Sequence, residues 1–345
     1  MNVRSCLCSV VLFAMGVQSV PAAEVSTPSR WIGRVDVDRH EFGWPGSGIE
    51  IGFQGKSLIL TLEDTGKNSL VVDIDGAISR LDLSSGSRPY RIAEDLPHGQ
   101  HLVRLTRRTE GMFGDTRFIS AETDGTFFNV TPPSRQLLVI GDSISAGYGV
   151  EAEDKGCKSG ANAENQYLTY AAIAGRTLGA DVTTLAISGI GVSRNGSGTG
   201  ETMAAFIDRP TPSKTAAVRA NSPQGFQGVV VNLGTNDFGG GQRPPAFVDD
   251  YTSLLARLRD QHPQALIYAA LGPMLSDADF AAAETAVKAA VELRTTAGDA
   301  RLQYLRLRVN SQNFGCDWHP SPSTHAALAE ILTQTLRRDL NWSAP

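Results

Sequence analysis

The 345-residue sequence lacks several features that would point to particular partners. It has no run or face of basic residues, and its formal net charge is −5. Nucleic acid and anionic membrane surfaces are therefore not expected partners, whereas a neutral polymer or a small ester is compatible with this charge. After the first 23 residues no apolar run is long enough to cross a bilayer, so no membrane anchor is expected. No internal repeat and no low-complexity tract is present.

Residues 1–23 have the three-part layout of a secretory signal peptide. A basic Arg4 precedes an apolar run that reaches about Val20, and small residues follow in "VPAAE". The run is too short and wrongly flanked for a stable membrane anchor. We therefore expect a secreted protein, periplasmic or extracellular, that loses Cys6 and Cys8 with this leader.

Two of the four cysteines remain in the expected mature chain, Cys157 and Cys316. In an oxidising compartment a single pair of cysteines is most simply a disulfide that ties two distant loops together. Two independent buried thiols are the alternative. A metal site is not favoured, because the spacing of Cys316, His319 and His325 in "CDWHPSPSTH" matches no standard zinc pattern.

Without the leader the chain is still longer than one hydrophobic core usually spans, so two domains are expected. Residues 24–130 alternate apolar and polar residues in short runs that are separated by turn residues, which predicts an all-β sandwich of jelly-roll kind. The runs that carry this pattern are "GIEIGF", "SLILTLED", "SLVVDIDG", "HLVRLTRR" and "RFISAET". The segment "NVTPPSR", residues 129–135, contains two prolines that cannot extend a sheet, and it is the expected linker.

Residues 131–345 change to an alternation of buried strands and helices, which predicts an α/β domain whose five-stranded parallel sheet is covered on both faces. The predicted strands are "QLLVIG", "DVTTLAIS", "GVVVNLG", "ALIYAAL" and "LQYLRL". Helices are expected around "YLTYAAIAGRTLG" and "PAFVDDYTSLLARLRDQHP", over 276–296, and from about residue 323. In such folds the functional groups gather at the carboxyl ends of the strands.

The turns at those strand ends carry the parts of an acyl-transfer site, which needs a nucleophile, a base, a group that orients the base, and donors for the oxyanion. Ser143 follows the first strand and offers a hydroxyl, while His319 precedes the last helix and offers an imidazole. Asp317 can orient that imidazole. The backbone N–H groups of Ser143 and Gly189 and the side-chain amide of Asn236 can face the oxyanion.

Each of these residues also has an ordinary structural interpretation. Ser143 and Asp317 can belong to helix caps, Gly189 can simply form a turn, and Asn236 can close an Asx-turn. A lone histidine such as His319 can be an ordinary surface or core residue. The functional interpretation is favoured because four separate turns at one predicted sheet edge carry the residue types that one mechanism requires.

The blocks "GDSIS", "SGIG", "GTND" and "DWHP" resemble the four signature blocks of the SGNH, or GDSL, hydrolase superfamily, whose domain is flavodoxin-like. Within it, a jelly-roll module followed by an SGNH domain resembles carbohydrate esterase family 2. The first module adds to the resemblance through "GRVDVDRHEFGWPGSGIEIGFQGKSL", "VVDIDG" and "GQHLVRLTRRTE". The resemblance covers nearly all of the expected mature chain.

The resemblance implies that Ser143 is the nucleophile and His319 the general base, with Ser143, Gly189 and Asn236 as the oxyanion hole. Family members remove acetyl groups from polysaccharides such as xylan and glucomannan, with a preference for O6 of hexoses, and need no metal or organic cofactor. The chain departs from the superfamily where the acid usually stands three residues before the histidine, because Cys316 occupies that position. Asp317, two residues before it, is expected to orient the imidazole, unless a backbone carbonyl does so instead.

Three aromatic residues, Trp44, Tyr148 and Trp318, are candidate sugar platforms, although an indole is also a common core residue. The expected function is that of a monomeric polysaccharide O-acetylesterase that works through an acetyl-enzyme. One alternative is an esterase for acetylated peptidoglycan or bacterial exopolysaccharide. Another is a carbohydrate-binding protein with weak or lost esterase activity. A lipid esterase is not favoured, because no large apolar lid segment is present.

Overall fold

The computed structural model describes residues 29–157, 160–214, 220–221, 225–310 and 313–343, so the predicted signal peptide lies outside the described residues. Two antiparallel sheets build the N-terminal module and one parallel sheet builds the C-terminal half. The N-terminal strands are β1 Ser29–Ile32, β2 Val35–Asp36, β3 Glu41–Phe42, β4 Gly48–Gly55, β5 Leu58–Asp64, β6 Ser69–Ile74, β7 Ala77–Asp82, β8 Gly86–Ala93, β9 Gly99–Arg107, β10 Thr116–Thr123 and β11 Thr126–Phe128.

The N-terminal module is a sandwich of two sheets. One sheet has the order β1-β4-β9-β6-β7, with β11 also paired to β4. The other contains β2-β3-β10-β5-β8 in that order. Alternate side chains of both sheets point inward and form one apolar core, as the period of a strand requires. That core includes Ile49 and Val103 from the first sheet and Phe42, Leu60 and Phe118 from the second.

The C-terminal half is a parallel sheet with helices on both faces. Its elements are β12 Arg135–Gly141, α1 Ser143–Ala146, α2 Tyr170–Thr177, β13 Ala180–Ala186, β14 Ala220–Asn221, β15 Gly228–Asn232, α3 Thr235–Phe238, α4 Phe247–Gln261, β16 Leu266–Leu271, α5 Asp277–Thr296, β17 Leu302–Arg306 and α6 Pro322–Leu340. The sheet order is β13-β12-β15-β16-β17, which is the flavodoxin-like order 2-1-3-4-5. The predicted fold class, a β-sandwich followed by a five-stranded α/β domain, is confirmed.

Two features of the fold differ from the sequence-based expectation. Seven strands were not predicted. Strands β1, β2, β3, β11 and β14 are only two to four residues long, and the side chains of β7 and β8 are mostly exposed and show no apolar alternation. Helix α2 begins at Tyr170 and not at Tyr167, because Thr169 caps it and a separate 3₁₀ turn occupies Gln166–Leu168. Both differences lie where local capping or exposure outweighs the hydrophobic pattern.

The two halves dock through buried polar contacts and a shared strand. The short strand β14 from the C-terminal half pairs with β2 and extends the second sheet of the sandwich. Arg30 and Arg104 of the first sheet both bind Glu50 of their own module and Asp181 at the start of β13. The N-terminal module is therefore fixed against the edge of the parallel sheet. Within the described residues, no helix has both the length and the apolar character needed to cross a membrane.

Candidate functional site

The turn after β12 presents Ser143 at the carboxyl edge of the parallel sheet. The strand ends at Gly141, and the side chain of Asp142 accepts a hydrogen bond of 3.0 Å from the amide of Ile144. Ser143 is consequently the first residue of α1, where its own amide is not used by the helix. Burial raises the pKa of the Asp142 carboxyl to about 7.

The structure brings Ser143 and His319 together although 176 residues separate them. The distance from Nε2 of His319 to Oγ of Ser143 is 2.7 Å, and both residues are buried. His319 lies in the loop before α6, so it approaches the serine from the end of the chain. This is the contact that a general base needs in order to take the proton of a nucleophilic hydroxyl.

A backbone carbonyl orients the imidazole of His319. Its Nδ1 lies 3.0 Å from the carbonyl oxygen of Cys316. A carbonyl can only accept a hydrogen bond, so Nδ1 carries the ring proton and Nε2 offers its lone pair to Ser143. Burial lowers the pKa of His319, and the Cys316 carbonyl and the charge of Asp317 oppose this effect. The imidazole is thus neutral and correctly oriented to act as a base near neutral pH.

The expected direct contact of Asp317 with the imidazole is wrong. The Asp317 side chain is exposed and accepts a hydrogen bond of 2.7 Å from the hydroxyl of Tyr148. The reason is local, because Asp317 adopts a left-handed φ of 49° within a tight turn of residues 316–318. Of the two alternatives that the sequence left open, the backbone carbonyl is the group on Nδ1.

Tyr148 packs against the catalytic histidine candidate and does not stand free at the surface. Its ring centroid lies 4.4 Å from that of His319, with a tilt of 42° between the rings. Since its hydroxyl also binds Asp317, Tyr148 connects the segment after the nucleophile to the loop that carries the base.

The His319 loop is attached to the segment after Ser143 by a disulfide and backbone bonds. Cys157 and Cys316 form the predicted disulfide, with their Cα atoms 5.2 Å apart. The amide of Cys316 donates to the carbonyl of Gly149 at 3.1 Å, and a Cβ at Gly149 would lie 2.5 Å from that of Cys316. Only glycine permits this close approach, because position 149 also has a φ of +63°. The predicted disulfide is confirmed.

The predicted oxyanion donors Ser143, Gly189 and Asn236 lie on the three turns that follow β12, β13 and β15. Gly189 has a φ of +79°, and a Cβ placed there would meet no atom within 4 Å, so this turn faces open space. Among the described residues, neither the amide of Ser143 nor that of Gly189 has a protein acceptor. The Asn236 Nδ2 atom donates one hydrogen to the carbonyl of Ile190 at 2.8 Å, which fixes the side-chain amide. Its second hydrogen makes only a long contact, with Nδ2 3.4 Å from Oδ2 of Asp142. These donors can serve an oxyanion that replaces this long contact.

A buried carboxylate that the sequence analysis did not single out, Asp237, holds the loop after Gly189. Asp237 is fully buried, and its side chain accepts backbone hydrogen bonds of 2.8–3.1 Å from Val192, Ser193 and Arg194. Burial raises the pKa of Asp237, and these three amides oppose the rise. Its position directly after Asn236 in "GTND" was the available signal. Asp237 ties the loop after Gly189 to the turn that carries Asn236.

The two candidate tryptophans have opposite environments. Trp44 is fully buried in the core of the C-terminal half, and its indole N–H donates to the carbonyl of Arg209 at 3.2 Å. The prediction that Trp44 binds substrate is therefore wrong, because the residue packs the interface between the two halves. Trp318 is 54% exposed beside His319, with the ammonium of Lys155 3.6 Å from its ring centroid.

A cavity of about 480 Å³ adjoins Trp318. Its walls include Met274, Arg308, Phe314, Trp318 and Pro320. Among the described residues no group of three metal-binding side chains is close enough to hold a metal ion. In the cysteine–histidine segment considered above, Cys316 forms the disulfide and Nδ1 of His325 accepts from the amide of Tyr170.

A flavodoxin-like sheet with a serine–histidine pair and amide donors at its carboxyl edge defines the class of serine hydrolases. Family models agree. The model of the carbohydrate esterase 2 N-terminal domain matches residues 31–133, and that of the GDSL-like lipase/acylhydrolase family matches residues 139–327. The chain belongs to carbohydrate esterase family 2 of the SGNH, or GDSL, hydrolases, which are carboxylic ester hydrolases.

Individual relatives extend along most of the chain. The chain is 31% identical over 307 residues to the cellulase/esterase CelE of Acetivibrio thermocellus, covering 87% of this chain but only 38% of that longer protein. It is 25% identical over 316 residues to an acetylxylan esterase / glucomannan deacetylase of Cellvibrio japonicus, covering 87% and 86%. A family two carbohydrate esterase from Clostridium thermocellum, solved in complex with cellohexaose, has a TM-score of 0.86 at 29% identity and covers 91% of this chain and all of that one.

Proposed function

We propose that the protein is a secreted serine esterase that removes O-acetyl groups from a plant-type polysaccharide such as xylan or glucomannan. The observation that carries the proposal is the 2.7 Å contact between Nε2 of His319 and Oγ of Ser143. The hydrogen bond from Nδ1 of His319 to the Cys316 carbonyl supports the proposal, because it selects the tautomer that can accept the serine proton.

In the first half-reaction, Oγ of Ser143 attacks the carbonyl carbon of the acetyl ester while Nε2 of His319 takes the hydroxyl proton. The amides of Ser143 and Gly189 and the side chain of Asn236 bind the resulting oxyanion. The bond between the acetyl carbon and the sugar oxygen then breaks. His319 returns the proton to that oxygen, which leaves the free sugar hydroxyl and an acetyl ester on Ser143.

In the second half-reaction, water attacks the acetyl-enzyme with His319 again as the base. Collapse of the second oxyanion releases acetate and returns the proton to Ser143. Because burial lowers the pKa of His319, its neutral form is present down to mildly acid pH. We therefore propose that activity is lost on the acid side at a lower pH than the ordinary pKa of histidine would set.

Support for a polysaccharide substrate comes from the relatives and from the surface beside the site. One relative is described as an acetylxylan esterase / glucomannan deacetylase, and a similar structure holds cellohexaose. Trp318 is exposed next to His319 and borders a cavity, where an indole can stack on a sugar ring. A disulfide in the catalytic half fits an oxidising, extracytoplasmic compartment.

The testing experiment measures acetate release from acetylated glucomannan, acetylated xylan and an aryl acetate by the wild type and by Ser143→Ala. We expect release from at least one polymer by the wild type and a loss of at least about 10³-fold in the variant. Polysaccharide binding by both proteins without acetate release would instead support the carbohydrate-binding alternative. Acetate release from the aryl acetate but from neither plant polymer would instead favour an esterase for another acetylated polymer, such as peptidoglycan or bacterial exopolysaccharide.

A further inference from the structure

The N-terminal module inserts one segment between two loops of the catalytic half. This segment is residues 107–110, "RRTE", and it begins at the last residue of β9. The carbonyl of Arg108 accepts from the amide of Gln166 at 3.0 Å, and the Arg108 side chain forms an ion pair with Glu151. Both of those partners belong to the chain that follows the nucleophile turn. The contacts of Arg108 thus fix the segment against the chain that follows the nucleophile turn. Its last residue, Glu110, contacts the second loop, which follows β13.

Glu110 contacts the residue that precedes the predicted oxyanion glycine. Its Oε2 atom accepts a hydrogen bond of 2.6 Å from the amide of Ser188, and its Oε1 atom accepts one from the Ser188 hydroxyl. The amide of Glu110 donates to Oε2 of Glu164 at 3.0 Å. Both oxygens of one carboxyl group are therefore used to hold a single residue, Ser188.

The environment of Glu110 is polar but closed to solvent. Glu110, Glu164 and Arg107 are each only 1% exposed. Burial and the neighbouring charge of Glu110 raise the pKa of Glu164 to about 9, so Glu164 holds a proton at neutral pH. A buried carboxylate is costly unless donors satisfy it. Burial raises the pKa of Glu110, and the two hydrogen bonds from Ser188 and the charge of Arg107 oppose the rise.

We infer that Glu110 is a positioning residue of the esterase site, through which the N-terminal module sets the direction of the Gly189 amide. Ser188 and Gly189 share one peptide unit, so the backbone angles of Ser188 decide where the N–H of Gly189 points. With its amide and hydroxyl both held, Ser188 has little freedom to rotate. Gly189 has no side chain that could restrain it, and its left-handed turn faces open space. Its carbonyl accepts from the amide of Gly196 at 2.8 Å, which leaves the direction of its own N–H to be set from the Ser188 side.

This inference rests on the proposed function and deepens it. It gives the β-sandwich a role in the chemistry in addition to any role in substrate binding. A donor that is misplaced by about 1 Å can cost on the order of 10²-fold in rate, whereas substrate affinity depends on its position much less. The effect of removing Glu110 should therefore fall on kcat and not on KM.

The test compares Glu110→Ala, Glu110→Gln, Ser188→Ala and a matched control, Asp181→Ala, on an aryl acetate. Asp181 is also a buried carboxylate that accepts from the N-terminal module, but it lies near the start of β13, seven residues before Ser188, which follows the end of that strand. At the rise of an extended chain this is roughly 20 Å from Ser188. Asp181→Ala thus removes an inter-module contact without touching the oxyanion turn.

We expect Glu110→Ala to lower kcat about 10- to 100-fold with KM within about threefold of the wild type. Glu110→Gln should stay within about fivefold of the wild-type kcat, because its amide can accept from the Ser188 amide and donate to the Ser188 hydroxyl. Ser188→Ala should lower kcat about fivefold. Asp181→Ala should keep kcat within about twofold while it lowers the melting temperature.

The inference is overturned if folded Glu110→Ala keeps a wild-type kcat, or if Asp181→Ala loses kcat as strongly. Should Glu110→Ala not fold, Ser188→Ala decides, and an unchanged kcat in that variant overturns the inference as well. Absence of aryl acetate hydrolysis in the wild type is a separate result, since it rejects the proposed function itself.

Discussion

Replacement of Asp317 by asparagine tests whether Asp317 orients the imidazole of His319 or acts on it only as a more distant charge. In the structure Nδ1 of His319 binds the Cys316 carbonyl, while the Asp317 carboxylate binds the Tyr148 hydroxyl. Asparagine has nearly the same shape and can still accept from that hydroxyl. The substitution therefore removes only the attraction between an exposed carboxylate and the imidazolium that forms in the transition state.

The size of this effect follows from exposure. Solvent screens the charge of the exposed Asp317 carboxylate, so its attraction to the imidazolium of His319 should contribute about 1 kcal/mol or less, which corresponds to about fivefold in rate. Loss of the aspartate that orients the histidine of a serine protease triad instead lowers kcat about 10⁴-fold. For Asp317→Asn we accordingly expect a kcat on an aryl acetate within about fivefold of the wild type.

The pH profile of the same variant gives a second readout. In the proposed mechanism the neutral imidazole is the base, so kcat/KM should fall as the pH drops through the pKa of His319. Burial lowers that pKa and the charge of Asp317 partly raises it, so Asp317→Asn should lower it further. The acid limb should then move to lower pH. A loss of 10³-fold or more in a folded variant, or an acid limb that moves to higher pH, would refute the assignment of the Cys316 carbonyl as the orienting group.

Three further predictions concern the oxyanion donor, the exposed indole and the disulfide. Asn236→Ala should lower kcat about 10²- to 10³-fold with an unchanged melting curve, and near-normal turnover would reject Asn236 as a donor. Trp318→Ala should lose activity on acetylated polymer more than on an aryl acetate, whereas equal losses would indicate a packing role. Cys157→Ser should lower the free energy of unfolding by about 2–4 kcal/mol in denaturant titrations. It should also lower kcat, because the disulfide partner Cys316 supplies the carbonyl that binds Nδ1 of His319. Two free thiols in the unreduced, unfolded mature protein would contradict the disulfide.

The sequence predicted the parallel sheet and the edge at which the site lies, because strand–helix alternation and strand-end turns are local patterns. Each of the five strands was placed within about two residues of its observed ends. The contact of Ser143 with His319 then follows from topology, since β12 is an interior strand and the final loop returns to the same edge of the sheet.

The remaining parts of the site depend on contacts that a sequence pattern does not record. The group on Nδ1 of His319 is a backbone carbonyl, and every residue has one. Trp44 looks like a surface turn residue in "GWPGSG", but packing across two modules buries it. Glu110 and Ser188 are 78 residues apart in different modules, so no local spacing links them.

The most direct test of the central claim is covalent labelling of the nucleophile with a serine-reactive aryl phosphate ester, followed by peptide mapping and parallel assays of acetate release. The account predicts one label per chain on Ser143, loss of activity in proportion to labelling, and no label in Ser143→Ala. The nearby Ser145, whose hydroxyl lies 3.0 Å from that of the buried Tyr170, should remain unmodified. Full labelling at another residue, or full labelling with acetate release intact, would contradict Ser143 as the nucleophile.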